Sequence, residues 1–174
     1  MADFLKVDEV LDNLELKDSM LAAEFGCGSA AFSIALAKKL SKGRVYALDI
    51  QEEKLSAVKA RAAHEQVNNI LTVLCDLEAP NGSTLHDGLL DVVLITNLLF
   101  QVENRLIILQ EAKRVLKPGG QVLVVDWLKA GAPAPKEGIV APKEVKQMAS
   151  GLGLELKKEF AIGDYHYGLL FLKQ

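Results

Sequence analysis

The chain has few residues that would cross-link it, anchor it or draw it to phosphates. Its two cysteines, Cys27 and Cys75, are too few for a disulfide scaffold. No Cys/His spacing of the kind that holds zinc occurs, so no metal is expected. No apolar run reaches the roughly 18 residues of a membrane span. The opening MADFLKVDEVLDNLELKD carries acids where a secretory leader has a basic segment and an apolar stretch. A cytoplasmic location away from membranes is therefore the expectation. Positive charge is not in excess either: 20 Lys and Arg face 23 Asp and Glu, for a net charge of −3. A surface that tracks phosphates needs clustered basic residues, so nucleic acid is not the expected partner. Prolines number five, and three of them fall between Ala130 and Pro142. The remaining composition, half apolar and a quarter charged, suits a globular chain. Its 174 residues suffice to bury a sizeable core, and one domain over residues 1–174 is expected.

Apolar periodicity alternates between strand and helix along the chain. Residues 1–19 read as an N-terminal helical segment, with Val7, Val10, Leu11 and Leu14 on one face and Asp3 or Asp8 near its start. Strands are expected at Leu21 to Phe25, Arg44 to Leu48, Ile70 to Leu74, Leu89 to Ile95 and Gln121 to Asp126. Helices are expected at Ala31 to Lys39, Gln51 to Gln66 and Val102 to Val115, and from Pro142 to Ser150 with Gly151 ending the last. Glu78 to Gly88 reads as a polar loop. Leu154 to Ile162 and Tyr167 to Lys173 read as two final strands joined tightly at Gly163-Asp164-Tyr165-His166. The pattern predicts an α/β fold: a Rossmann-like, doubly wound, mostly parallel seven-stranded sheet with a C-terminal antiparallel hairpin. The Ala130 to Pro142 segment, AGAPAPKEGIVAP, is a long irregular connection and a candidate lid.

The segment from Leu21 to Ala37, LAAEFGCGSAAFSIALA, carries the functional signal. A strand ends at Glu24-Phe25, a Gly26-Cys27-Gly28 turn follows, and a helix begins. Glycines there let a ligand approach the backbone, and the helix start offers free N–H groups. About twenty residues on, Asp49 ends the second strand, where a carboxylate can accept both hydroxyls of a ribose. A nucleoside-containing cofactor follows from the two elements together. GCGSAA fits the loose dinucleotide pattern G-x-G-x-x-A, so NAD is formally allowed. Glu24 argues otherwise: a carboxylate beside the first glycine attracts a cationic amino group and repels a pyrophosphate. Asp76, after the third strand, can accept from an adenine amino group.

In EFGCG (24–28), YALDI (46–50), LCDLE (74–78), LLDVVLITNLLF (89–100) and RVLKPGGQVLVVDW (114–127) the chain resembles the class I S-adenosylmethionine-dependent methyltransferases, in particular the small type 11 and type 25 domains. The match runs in order over nearly the whole chain. The resemblance implies S-adenosyl-L-methionine as cofactor and S-adenosyl-L-homocysteine as product. It implies that Glu24, Gly26 and Gly28 hold the methionine part. Asp49 takes the ribose, Ile50 covers the adenine, Asp76 and Leu77 meet the adenine edge, and Asn97 lies beside the donor. Ala30 stands where many relatives have a third glycine, with only a modest effect expected. In the resembled fold Cys27 and Cys75 end strands one and three, roughly 10 Å apart and beyond disulfide reach. A thiol cluster for arsenic methylation is not expected.

The acceptor side is less legible. Thr96-Asn97-Leu98-Leu99-Phe100-Gln101 is not the N/D-P-P-Y/F signature of amino-group methylation. It also lacks the histidine that type 11 relatives often carry near Phe100, so no catalytic base is assigned. Phe100, Trp127, Tyr165 and His166 are the substrate-side candidates, because each falls at or beyond a strand's carboxyl end. The plainer readings are hairpin packing for His166 and packing under the 130–142 loop for Trp127. His64 and His86 fall in polar segments and read as incidental. The expected function is methyl transfer to an unidentified acceptor, foremost a small molecule. A protein or RNA acceptor, a non-catalytic binding module and an NAD-dependent oxidoreductase are the alternatives. The oligomeric state is not encoded.

Overall fold

The computed structural model describes residues 5–174. In chain order the elements are α1 (Val7–Leu11), β1 (Leu21–Phe25), α2 (Ala31–Lys39), β2 (Arg44–Asp49), α3 (Glu52–His64), β3 (Ile70–Leu74), β4 (Leu90–Thr96), α4 (Arg105–Val115), β5 (Leu116–Trp127), α5 (Pro142–Gly151), β6 (Leu154–Ile162) and β7 (His166–Lys173). The seven strands form one sheet in the order β3-β2-β1-β4-β5-β7-β6. The first five are mutually parallel. β7 runs antiparallel to both β5 and β6, which closes the sheet with the expected hairpin.

The central strands are mostly apolar because both faces of a parallel sheet are covered. Side chains alternate along them. On one face Val93, Ile95, Val122 and Val124 pack with Ile108, Leu109 and Ala112 of α4 and with Val145 and Ala149 of α5. On the other, Val92, Leu94, Leu123 and Val125 pack with Val10 and Leu11 of α1 and with Leu36 of α2. Leu94 is fully buried. Truncating it to alanine would cost about 2–5 kcal/mol, by lost transfer energy plus the cavity left behind.

Several boundaries differ from the sequence reading, most by a residue or two, and three of the differences have a clear local reason. α1 stops at Leu11, where the Asn13 side chain donates to the Glu9 carbonyl at 2.8 Å and caps the end. Of the two acids expected near its start, Asp8 lies in the first turn and Asp3 lies outside the described residues. α4 begins at Arg105 rather than Val102, because Asn104 is its N-cap and accepts from the Ile107 amide at 3.3 Å. β5 begins at Leu116, five residues early. Leu90 pairs with Leu116 and Val92 with Gln121, so Lys117 to Gly120 bulge out between two paired positions.

Candidate active site

The strand order reverses between β1 and β4, and ligands of open α/β sheets lie outside the carboxyl ends of the strands at such a point. There the Gly26-Cys27-Gly28 turn leaves β1. The Gly26 and Cys27 amides both donate to the Leu48 carbonyl at 2.9 Å, which folds the turn over the end of β2. Gly26 has φ +76, a left-handed conformation that favours glycine, and a Cβ there would press on the tip of the Leu98 side chain at 3.0 Å. Asp49 is almost buried. Its Oδ2 accepts from the Gly28 amide at 3.2 Å and its Oδ1 from the Gln51 amide at 3.0 Å. The carboxylate therefore ties the glycine turn to the β2–α3 corner as well as facing the crevice. Ile50, beside it, is 65% exposed, an apolar side chain held in the open at the end of β2.

Glu24 lies deeper, 2% exposed. Its Oε2 accepts from the Ser33 hydroxyl at 2.5 Å and its Oε1 from the Thr96 hydroxyl at 3.5 Å. Burial pushes its carboxyl up to about 8, against the smaller opposing effects of Ser33 and Thr96, and nearby Asp49 adds to the rise. No cationic side chain is among these partners. A buried carboxyl in this condition suits a cationic group brought by a ligand.

Asp76 is exposed after β3, and its Oδ1 accepts from the Glu78 amide at 2.9 Å in a local turn. Leu77 is buried. Asn97 follows β4 with φ +49, and its amide donates to the Val125 carbonyl at 2.8 Å. Burial pushes both thiols up, Cys75 to about 11, and both are free. His64 and His86 are exposed at the surface.

On the acceptor side, β6 runs in the direction of β5 because β7 is antiparallel to both. The turn at Gly163 to Tyr165 thus falls at the carboxyl edge. Trp127 ends β5 directly opposite His166, the first residue of β7. Their ring centroids are 4.0 Å apart at 35°. Both are buried, and burial pushes the His166 imidazole down to about 4. The Tyr165 carbonyl accepts from the Leu128 amide at 2.7 Å, and Lys129 Nζ lies 5.3 Å over its ring. Among the described residues, the buried side-chain polar atoms without a hydrogen-bond partner are Asn97 Oδ1, Trp127 Nε1 and the two ring nitrogens of His166. Asn97 follows β4, Trp127 ends β5 and His166 begins β7, so the three fall at one edge of three neighbouring strands.

Two further buried acids hold loops in place, and of these Glu111 escaped the sequence reading. Asp126 is fully buried; its Oδ2 accepts from the Leu99 amide at 2.9 Å and its Oδ1 from the Trp127 amide at 2.8 Å. It pins the connection after β4, with Asn97 and Phe100, against the end of β5. Burial raises its carboxyl to about 6 despite these donors. Glu111 on α4 accepts from the Ser83 amide at 2.9 Å and from Arg114 Nη2 at 2.7 Å. Arg114 also donates to the Leu85 carbonyl at 2.9 Å, so the pair fastens the 78–88 loop to α4. The candidate lid is fastened in part. Arg105 donates to the Leu99 carbonyl at 3.1 Å and the Gly138 carbonyl at 3.0 Å. Tyr167 Oη donates to the Val140 carbonyl at 2.9 Å, and Val140 is fully buried.

A doubly wound sheet in this order, with an acid and a glycine turn closing β1 and an aspartate closing β2, is the architecture of a class I methyltransferase. The sequence pattern of the family described as a methyltransferase domain, type 11, matches residues 23–124. The chain belongs to this family of S-adenosylmethionine-dependent methyltransferases. It is 32% identical over 130 residues to a demethylmenaquinone methyltransferase of Staphylococcus haemolyticus, covering 74% of this chain and 52% of that one. It is 35% identical over 114 residues to a ribosomal protein L11 methyltransferase of Vibrio cholerae, covering 66% and 35%. The chain spans about half the length of the demethylmenaquinone methyltransferases it matches. A crystal structure of an S-adenosylmethionine-dependent methyltransferase from Aquifex aeolicus has the same fold, with a TM-score of 0.88, 23% identity and coverage of 98% and 91%. Among the described residues no helix is long and apolar enough to cross a membrane.

Proposed function

We propose that the chain transfers a methyl group from S-adenosylmethionine to a small-molecule acceptor. The observation that carries the donor side is Glu24, a buried carboxyl without a cationic partner at the switch point of the sheet. Bound there, the cofactor supplies a methyl group already activated on a sulfonium. The methyl–sulfur bond breaks as the acceptor–carbon bond forms, and sulfur keeps the electron pair as a thioether. A protic acceptor loses its proton to solvent or a neighbouring group.

The residues of the chain hold and orient the reactants, which is most of what an in-line displacement requires. Glu24 pairs with the amino group of the methionine part, beside the Gly26–Gly28 turn. Asp49 has Gly28 and Gln51 amides on its oxygens and offers its remaining lone pairs to ribose hydroxyls. Ile50 covers the adenine, and Asp76 and Leu77 meet its edge, where Asp76 accepts from the amino group. Asn97 borders the donor. Phe100, Trp127, Tyr165 and His166 border the acceptor, under residues 130–142 as a lid. The small acceptor draws support from the relatives named for demethylmenaquinone methylation. A protein side chain is the second reading, favoured by the relative named for ribosomal protein L11.

The test is transfer of radiolabelled methyl groups to a fractionated lysate, with small molecules, proteins and RNA resolved separately. Label is expected in the small-molecule fraction. Calorimetry with S-adenosylhomocysteine and with NAD checks the cofactor. Binding of NAD alone would overturn the reading.

A further inference from the structure

The polar atoms left over just beyond β4, at the carboxyl end of β5 and at the start of β7 define a second requirement, on the acceptor. We propose that the acceptor is an uncharged molecule presenting a hydroxyl or carbonyl oxygen, seated on Trp127 Nε1 and His166. This rests on the reading of the chain as a methyltransferase, and it names the acceptor's chemistry.

An indole N–H can only donate. Trp127 Nε1 is buried and without a partner among the described residues, so it calls for an acceptor atom on the ligand. His166 is 1% exposed and stacked on Trp127. Held neutral by its burial, its imidazole has one donor and one acceptor nitrogen, and neither has a partner among the described residues. A hydroxyl both donates and accepts, and it satisfies both rings at once. A carbonyl satisfies Trp127 and the N–H of His166. Leaving such groups buried and unpaired costs more than the same bonds return in water, so a matching ligand gains by meeting them.

Charge at this edge excludes the alternatives. A cationic acceptor needs a carboxylate whose charge is not already shared among backbone amides, a stricter demand than the lone pair a neutral hydroxyl uses. Asp126, the buried acid beside Trp127, has one oxygen on the Leu99 amide and the other on the Trp127 amide. An anionic acceptor needs a free cation. Arg105 of α4 is spent on the Leu99 and Gly138 carbonyls, and Lys129 lies 5.3 Å over the Tyr165 ring. Trp127 and His166 are both planar rings, which sets the choice of a flat probe.

The experiment uses the full chain saturated with S-adenosylhomocysteine, titrated calorimetrically with α-naphthol and with α-methylnaphthalene. The two have nearly the same shape, and only the first carries an oxygen. The naphthol is expected to bind about tenfold more tightly. Trp127→Phe and His166→Phe each keep a ring and remove the nitrogens. Each is expected to reduce the preference for naphthol by about five- to tenfold, one buried hydrogen bond's worth. Cofactor-product affinity should stay at the wild-type value in both variants, which also reports that they fold. Failure of S-adenosylhomocysteine to bind would strike the functional reading itself. With the product bound, equal affinity for the two naphthalenes, no binding of naphthol, or a preference unchanged in both variants would overturn the acceptor proposal alone. The wild-type comparison decides the matter even if a variant fails to fold.

Discussion

Binding of S-adenosylhomocysteine is expected to release a proton from Glu24. In the free protein this carboxyl is held at about 8 by burial, so at pH 7 about nine-tenths of the molecules carry it protonated. The ligand's amino group arrives as a cation beside it, and an opposite charge favours the ionised form. If the bound value falls below about 6, close to one proton leaves per binding event at pH 7. Paying for that ionisation costs about 1.4 kcal/mol for each pH unit below 8. Affinity should therefore rise about tenfold from pH 6 to pH 7, and several-fold more to pH 8. Calorimetry in buffers of different ionisation enthalpy measures the released proton directly. Glu24→Gln keeps the shape and cannot ionise, so its affinity should be flat over the same range. A binding enthalpy that ignores the buffer, or a Gln variant with the wild-type pH dependence, would refute the reasoning.

The same group sets a stability limb in the free protein. Its folded value, about 8, lies above the ordinary 4.5, so the folded state binds the extra proton between those two values. The stabilisation is complete below about pH 4.5 and is lost as pH rises through 8. From pH 5 to pH 7 the loss is about 2–3 kcal/mol. Urea unfolding of wild type and Glu24→Gln at the two pH values isolates it, since every other titration is shared. The variant should lack this loss.

Asp49→Ala should weaken S-adenosylhomocysteine binding by about tenfold or more and lower stability by about 1–2 kcal/mol, because the Gly28 and Gln51 amides lose their acceptor; calorimetry and urea unfolding report the two effects separately. Ala30 occupies the left-handed region at φ 70 while its methyl is buried, so in Ala30→Gly the relieved strain and the lost burial offset each other and the urea-unfolding free energy should change by less than about 1 kcal/mol. Arg114→Ala leaves Glu111 buried without its cation and should cost about 3 kcal/mol in the same assay. Hydrogen exchange in the free protein should be fast over residues 130–137 and slow at Val140, and should slow over 130–137 when cofactor product and acceptor are both present.

The sheet was legible because its strands announce themselves locally. Val92 to Ile95 of β4 and Val122 to Val125 of β5 are unbroken apolar runs, and the glycine turn and Asp49 sit at strand ends that the pattern marks. The start of β5 was not legible, since Lys117-Pro118-Gly119-Gly120 has the composition of a turn and its place in the strand comes from the bulged pairing with β4. Val102 fits the α4 register, yet the helix waits for Asn104, whose side chain supplies the cap. The fastening residues were hidden for a different reason. Asp126 meets an amide 27 residues away and Glu111 a serine 28 residues away. Neither spacing leaves a periodic trace, and only the folded chain brings the partners together. Sequence did find His166 and Trp127, but as strand-end residues. That they stack, and that their nitrogens are unpartnered among the described residues, depends on β7 pairing antiparallel with β5.

Three nearly buried acids stand at the carboxyl edge, and their partners divide the labour between them. Asp49 and Asp126 each accept two backbone amides, which hold loops: the glycine turn in one case, the connection after β4 in the other. Their negative charge is largely spent on structure. Glu24 receives the Ser33 and Thr96 hydroxyls as its close partners, too little to keep a carboxylate ionised at its depth. It is the acid whose charge awaits a ligand, and it lies at the β1 end of the crevice. Across β4 and β5, Trp127 and His166 present uncharged donors and acceptors. The electrostatic asymmetry runs along the sheet, from a place for a cation to a place for a neutral oxygen. A sulfonium amino acid with a neutral nucleophile is the pair of reactants that such a gradient sorts.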